Sequence, residues 1–502
     1  MNYRNFSDYN TPNASRNIAF VVIALFVVFY LWLLNEDSLR NNELITLNTI
    51  KLDYVEAWFQ RLKRNHMPLY FVFLKFWTEI FGTSQFALRL PSAIFGLCGV
   101  VTVWMLAKEY FKPLPAIAVL VLVGLNQTVL HVSTEIRPYS LLFFMCALVL
   151  YGYVKYINDP DRRYLVMIAT ASTIGLYSQL LILFIIVPLI IYTLWLRAEL
   201  PPSSRNRLLL AFAIPLVVTL PFLIYWIAVQ DRLASNEGRS APDFMKSFAT
   251  AMKVFFGNSN FLAAKISSLP MYLGLVSIAS VAAAKLYGLR PNPDRRDLTG
   301  LCVVILLFLV VASGIATADA HHTTVNAPRY YIVIASFAPI LLVWTILLIH
   351  KYAHRFLAAG YSFLVFGLLV ANTVAFVADE GTGVREAAID MAERAPGTDV
   401  LVATCASLRR SLVYYGASEE SPLCPQDIEP EEWVRQKAGE LDRFWMVYFR
   451  TPFDERKNRG REKYDYRVRT ALENDSTIRL VGEIKRSGST YYGLYERASA
   501  QD

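Results

Sequence analysis

A carboxylate, a histidine and an arginine beside a membrane can handle a lipid phosphate, and this chain gathers such residues in short stretches that border long apolar runs. Asn41-Asn42-Glu43-Leu44-Ile45-Thr46 follows the first run. His66-Met67-Pro68-Leu69-Tyr70 comes next, and His131 to Tyr139 reads HVSTEIRPY. Glu43 is flanked by Asn41 and Asn42, whose amides can bond a carboxylate or a substrate hydroxyl. At the rim of a cavity such an acid can act as a general base; by composition alone a solvated loop acid is the commoner outcome. Glu135 and Arg137, with His131, fall in a very short turn between two apolar runs, which pins them near the bilayer surface. The competing reading is an arginine that snorkels and pairs with its neighbour. Arg329, before Tyr330 and Tyr331, opens a late run. It can clamp a phosphate bidentately, or simply anchor a helix in an aromatic belt.

Other cations are more ambiguous. Lys75 and Arg89 can both touch a lipid phosphate, but Lys75 can equally pair with Glu79 one helical turn on. Four of the six histidines (His66, His131, His321, His322) fall on one predicted face of the membrane. No two of them share the i,i+4 helical spacing that would chelate, so a divalent metal stays open but is not predicted, and nothing in these residues makes a cofactor required. Cys98, Cys146 and Cys302 sit in apolar runs as packing residues. Cys405 and Cys424 sit in the polar C-terminal region and can form a disulfide if that region lies outside the cytoplasm.

The elements that must position these residues are membrane helices. Hydrophobic residues make up 55% of the 502, and charged residues only 18%, against roughly 25% in soluble proteins. Mean hydropathy is +0.36. Runs of about 18 or more apolar residues read as spans, and about eleven are predicted: 18–34, 88–109, 113–130, 138–156, 164–178, 181–196, 208–228, 267–286, 299–317, 329–349 and 357–377. The first run lacks a small-residue cleavage site and reads as a retained helix. With a cytoplasmic N-terminus, the inner connections hold Lys108 and Lys112; Lys155, Arg162 and Arg163; Arg197, Arg205 and Arg207; Arg290, Arg295 and Arg296; Lys351 and Arg355. That is the positive-inside pattern. The formal charge of +8 therefore orients the chain and attracts anionic lipid; it makes no nucleic-acid stripe.

The expected fold is an α-helical polytopic membrane protein with a small C-terminal α/β domain. Residues 1–378 form the membrane domain, including an outer loop 35–87 with interfacial helices at 55–62 and 68–81. Residues 379–502 form an extracytoplasmic domain with a helix at 381–395 and strands at 399–404, 443–449 and 490–496.

In these stretches the chain resembles the GT-C glycosyltransferases that use polyprenyl-phosphate sugars, in particular the bacterial protein O-mannosyltransferase and lipid A aminoarabinose-transferase group. That group carries an Asp-Glu pair shortly before a Thr, here Asn42-Glu43 before Thr46. It carries a His-Pro-Pro-Leu-Tyr-like stretch, here His66 to Tyr70, and an Arg-Leu-Pro-Ser-x-x-x-Gly helix start, here Arg89 to Gly96. A Glu-x-Arg-x-Tyr-Ser-Leu stretch follows, here Glu135 to Leu141, and an Arg-Tyr pair opens a late span, here Arg329-Tyr330. The likeness covers roughly residues 18–350. One departure matters: the acid usually given the catalytic role is Asn42 here. Glu43 becomes the first candidate base and Glu135 the second, with Asp37 and Asp53 more distant. Asn42, His66, Tyr70, His131, Tyr139 and Tyr330 are the substrate-binding candidates.

The resemblance implies inverting displacement at an anomeric carbon in the cell's inner membrane. A carboxylate takes the acceptor's proton, and Arg137 and Arg329, helped by Lys75 or Arg89, stabilise the departing polyprenyl phosphate. The partners are a lipid-linked sugar donor, membrane lipids and a glycan, lipid or protein acceptor, and no nucleic acid. A transporter or flippase of lipid-linked sugars is the alternative. It expects ionisable groups inside spans and inverted repeats, and the sequence shows neither. A third reading is an anchor that merely presents the C-terminal domain.

Overall fold

The computed structural model describes residues 12–35, 38–63, 66–195, 200–233, 244–255, 328–378, 383–402, 412–416, 440–449, 475–487 and 490–497, with isolated residues between. Its contacts divide the chain into two units. One comprises Met1–Leu34 with Thr49–Ala378, the other Asn35–Asn48 with Asp379–Asp502. The short segment 35–48 therefore groups with the C-terminal part of the chain.

The larger unit is helical. Its first helix, α1 (Pro12–Leu33), turns Phe20, Leu25, Val28 and Trp32 outward and buries Phe26, Tyr30 and Leu33. The Tyr30 hydroxyl donates to the Gly124 carbonyl at 3.0 Å. Helix α2 (Asn41–Ile50) bridges the two units in sequence; α3 (Tyr54–Lys63) and α4 (Leu69–Phe81) follow. They fall on the stretches expected to form amphipathic helices. Next come α5 (Gln85–Ala107), α6 (Pro113–Gly124), α7 (Gln127–Ser133), α8 (Tyr139–Asn158), α9 (Arg162–Ser178), α10 (Leu183–Trp195), α11 (Pro202–Leu233) and α12 (Phe244–Phe255). A 3-10 segment, Pro328–Ser336, leads into α13 (Ala338–Leu348), and α14 (Arg355–Val377) closes the unit.

Local chemistry sets where these helices start and bend. Ser84 caps α5 by accepting the Ala87 N–H at 3.3 Å. Asn126 caps α7, its Oδ1 accepting Thr128 and Val129 N–H at 3.0 and 3.3 Å. This cap interrupts one apolar run, so α6 and α7 meet at 57°. The same Asn126 donates from Nδ2 to the Val254 carbonyl at 3.0 Å, which holds α12 at the bend. The 3-10 segment and the helix after it are bent by 56°. Gly96 brings α5 close to α7: a Cβ there would lie 2.0 Å from Ser133 Oγ.

Among the described residues five helices are long and apolar enough to cross a membrane, or seven if each bent pair is one span. The expected spans 113–130 and 329–349 fall on these bent pairs. The expected spans 164–178 and 181–196 fall on shorter helices. At 17 residues, α9 is about 25 Å long, short of a core of roughly 30 Å. The expected spans 267–286 and 299–317 lie largely outside the described residues.

The smaller unit has helix α15 (Val384–Arg394) and a five-stranded sheet of β1 (Asp399–Val402), β2 (Arg443–Phe449), β3 (Ile478–Leu480), β4 (Lys485–Ser487) and β5 (Thr490–Arg497). The order is β1-β2-β5-β3, with β4 also on β5; β1 and β2 run parallel and the other pairs antiparallel. Strand alternation divides the core into two faces. Trp445 and Val447 pack with Val384, Ala388 and Met391 of α15. Phe444 and Met446 pack with Leu401 and Tyr495 on the other side. The two three-residue strands were not expected. They are too short for any alternation to show, and β3 is fastened to β5 by Arg479 and Glu496 at 2.6 Å.

Candidate active site

In the larger unit the turn between α7 and α8 carries the densest polar group. Ile136, fully buried, pins the turn, and the Arg137 N–H donates to the Glu135 carbonyl at 2.8 Å. Glu135 and Arg137 thereby end up inside the protein at 2% and 6% exposure. His131, one turn back on α7, holds its Nε2 3.8 Å from the Glu135 carboxylate. The 3-10 segment brings a second cation to the start of α8. The Arg329 guanidinium lies 5.9 Å from the Tyr139 ring and 5.5 Å from the Tyr330 ring. Those two rings meet edge to face at 5.8 Å. Glu135 and Arg137 precede Tyr139 by four and two residues, and Arg329 approaches its ring from the 3-10 segment.

His66 lies within the same field. Burial, then the charges of Arg137, Arg61 and Arg329, push its pKa down from the usual 6.5 to about 3. Burial and those positive charges therefore favour the neutral imidazole. Its ring sits 6.1 Å from that of Phe71, over which Arg61 stacks at 4.1 Å.

Several polar atoms in this cluster are buried with no hydrogen-bond partner among the described residues: Arg137 Nε and Nη1, Arg329 Nε, Glu135 Oε2 and Ser140 Oγ. A buried, unsatisfied charged donor costs about 1–3 kcal/mol or more. Folded chains satisfy such groups with water, an ion or a ligand, or hold them for catalysis. The donor set, two guanidinium groups and a hydroxyl, suits an anion with several oxygens, and phosphate above all.

The other candidate cations do different work. Arg89 is buried and donates to the Leu34 carbonyl at 3.1 Å. Lys75 donates to the Ile50 carbonyl at 3.2 Å, pairs with Glu79 at 3.4 Å and lies over the Tyr54 ring. Leu34 directly follows α1 and Ile50 ends α2, where carbonyls lack intrahelical partners. Both cations thus sit where a helix dipole favours positive charge. The Tyr70 hydroxyl is within 2.9 Å of Ser92 Oγ and ties α4 to α5.

Glu43 belongs with the smaller unit. It lies in the first turn of α2, fully buried, and its Oε2 accepts the Arg40 N–H at 2.7 Å. That bond orients the carboxylate and closes the helix start. The backbone carbonyl of the adjacent Asn42 accepts from Thr46 Oγ1 at 3.1 Å.

Arg61 and Ser140 were not anticipated from the sequence. Arg61 shares the buried face of α3 with Ala57, four residues back, and donates to Thr49 Oγ1. That spacing was a usable signal. Ser140 follows Tyr139 directly and carried no signal of its own. Among the described residues no three His, Cys, Asp or Glu side chains gather to hold a metal. Cys98 and Cys146 are free thiols; Cys302, Cys405, Cys424, His321, His322 and Asp37 lie outside the described residues.

The fold has a close parallel. The apo structure of ArnT from Cupriavidus metallidurans superposes with a TM-score of 0.54 at 13% identity, covering 96% of this chain and 98% of that one. The protein has a GT-C fold. Within it, residues 65–226, which carry His66 and the Glu135–Arg137 turn, match the family model for dolichyl-phosphate-mannose-protein mannosyltransferases. ArnT bound to undecaprenyl phosphate gives a TM-score of 0.46 at 14% identity, covering 95% and 98% of the two chains. The Archaeoglobus fulgidus oligosaccharyltransferase gives 0.45 at 13% identity, covering 76% and 59%. A search of curated proteins gives no match.

Proposed function

We propose that this GT-C protein is an inverting membrane glycosyltransferase that moves a sugar from a polyprenyl-phosphate donor to an acceptor on the extracytoplasmic side of the inner membrane. The observation that carries the reading is the pairing of buried Arg137 with half-buried Arg329, whose Nε atoms, with Arg137 Nη1, are buried without a hydrogen-bond partner among the described residues. The match of residues 65–226 to a family named for a lipid-phosphate sugar donor supports the same chemistry.

In this mechanism the acceptor oxygen or nitrogen attacks the anomeric carbon from the face opposite the phosphate. The bond from that carbon to the phosphate oxygen breaks, and both of its electrons stay with the departing polyprenyl phosphate. Arg137 and Arg329 stabilise that growing charge. Neutral His66 can offer an N–H to a phosphate or sugar oxygen without adding a fourth positive charge. Glu43 takes the acceptor's proton as general base, with Glu135 as second candidate. The lipid tail stays among the apolar helices. The N-terminus is cytoplasmic, and residues 379–502 form an extracytoplasmic domain.

Mass spectrometry of lipid-linked sugars tests the reading. Deleting the gene should make one polyprenyl-phosphate sugar accumulate and one glycan lose a residue. Restoring the wild-type chain should reverse both changes, and the Arg137→Ala/Arg329→Ala chain should not. An unchanged lipid pool on deletion would remove the donor assignment.

A further inference from the structure

Helix α15 begins without a cap of its own. Its N-cap residue is Gly383, in a left-handed conformation at φ +64°, which offers no side chain. The cap comes from Ser38, 347 residues earlier in the chain: its Oγ accepts the Arg385 N–H at 3.0 Å. The Ser38 hydroxyl in turn points at Glu386 Oε2, 3.5 Å away. Arg385 Nη1 donates to the Asn35 carbonyl at 3.0 Å. The Leu39 N–H donates to the Tyr415 hydroxyl at 2.8 Å, and Tyr415 packs against the core between α15 and the sheet. Ser38 and Leu39 are both buried, at 1% exposure each. The next residue, Arg40, supplies the N–H that Glu43 accepts.

We propose that the C-terminal α/β unit positions the acid-bearing turn, with Ser38, Arg385 and Tyr415 as positioning residues that fix where α2 begins and so where the Glu43 carboxylate sits. This gives the C-terminal unit a role in turnover; it rests on the reading of Glu43 as base. The clamp uses a buried hydroxyl at Ser38 and one on half-buried Tyr415, each of which a single substitution removes.

The test uses the full-length protein in lipid nanodiscs. Hydrogen exchange is read by mass spectrometry for wild type, Ser38→Ala, Ser38→Thr, Tyr415→Phe and the Ser38→Ala/Tyr415→Phe double variant. Losing one hydrogen bond should speed exchange across residues 39–46 about tenfold. The sheet segments 443–449 and 490–497 should be unchanged, and Ser38→Thr, which keeps the hydroxyl, should behave as wild type. In a parallel arm, the lipid-linked sugar that accumulates in deletion cells is extracted and supplied to the same proteins in vesicles. The double variant should lose at least about tenfold in maximal rate, with the half-saturating donor concentration unchanged. Unchanged exchange across 39–46, or a wild-type rate in the double variant alongside an inactive Glu43→Gln, would overturn the positioning role. Full turnover by Glu43→Gln would instead remove the base assignment, and the exchange arm would still report on the clamp.

Discussion

At the scale of single residues, the two arginines near Tyr139 do not do the same work as the other candidate cations. Arg89 and Lys75 spend donors on carbonyls at the C-terminal ends of α1 and α2. Arg137 and Arg329 keep buried donors that no described residue satisfies. Arg137→Ala should therefore lower kcat/KM about a hundredfold or more, as loss of a preorganised charged donor does elsewhere. Arg137→Lys should recover little of it, because an ammonium cannot make the paired contacts of a guanidinium. Steady-state rates at saturating and limiting donor separate the two variants. Lys75→Ala should cost stability more than rate, read as a lower midpoint of thermal unfolding with kcat within about threefold.

His66 gives a pH signature. Its folded pKa of about 3 lies below the usual 6.5, so the unfolded chain binds this proton across that window and the folded chain does not. Stability from this site is complete above pH 6.5 and falls as the pH drops toward 3. Thermal unfolding between those values should depend less on pH in His66→Asn than in wild type. Curves that stay parallel would show that His66 already titrates normally in the folded protein.

At the scale of elements, the parts that hold the site differ in how plainly the sequence announces them. The turn that holds Glu135 and Arg137 was legible because a short polar stretch between two long apolar runs breaks the helix there. The small strands β3 and β4 were not, since three residues carry no period. Arg61 was hidden for another reason: a basic residue on an amphipathic helix reads as solvated, and only its four-residue spacing from Ala57 hinted at the buried face. The breaks at Asn126 and before Ala338 were hidden inside hydropathy that continues across them. The α5–α7 approach offers a test of this packing. Gly96→Ala would push a methyl against Ser133 Oγ and should destabilise by about 1–3 kcal/mol. Adding Ser133→Gly should return part of the loss in the same unfolding assay, whereas no recovery would mean that the strain lies elsewhere.

At the scale of the whole molecule, the helical architecture and the α/β tail were both readable from hydropathy and strand alternation. The grouping of residues 35–48 with the tail was not. It depends on hydrogen bonds between residues nearly 350 positions apart, and no local pattern can announce a cap supplied from that distance. The proposed topology places the tail outside the cytoplasm. A cysteine at exposed position Glu393 should react with a membrane-impermeant maleimide added to intact spheroplasts; labelling only after lysis would reverse the orientation.

The central claim is that Arg137 and Arg329 hold a lipid phosphate. Equilibrium binding of undecaprenyl phosphate and of undecaprenol to the purified protein in nanodiscs measures it most directly. With charged hydrogen bonds contributing about 1.5–3 kcal/mol each, the phosphate should bind at least about a hundredfold more tightly than the alcohol. Arg137→Ala/Arg329→Ala should erase that preference. Equal affinity for phosphate and alcohol in the wild type, or an undiminished preference in the double variant, would contradict the claim.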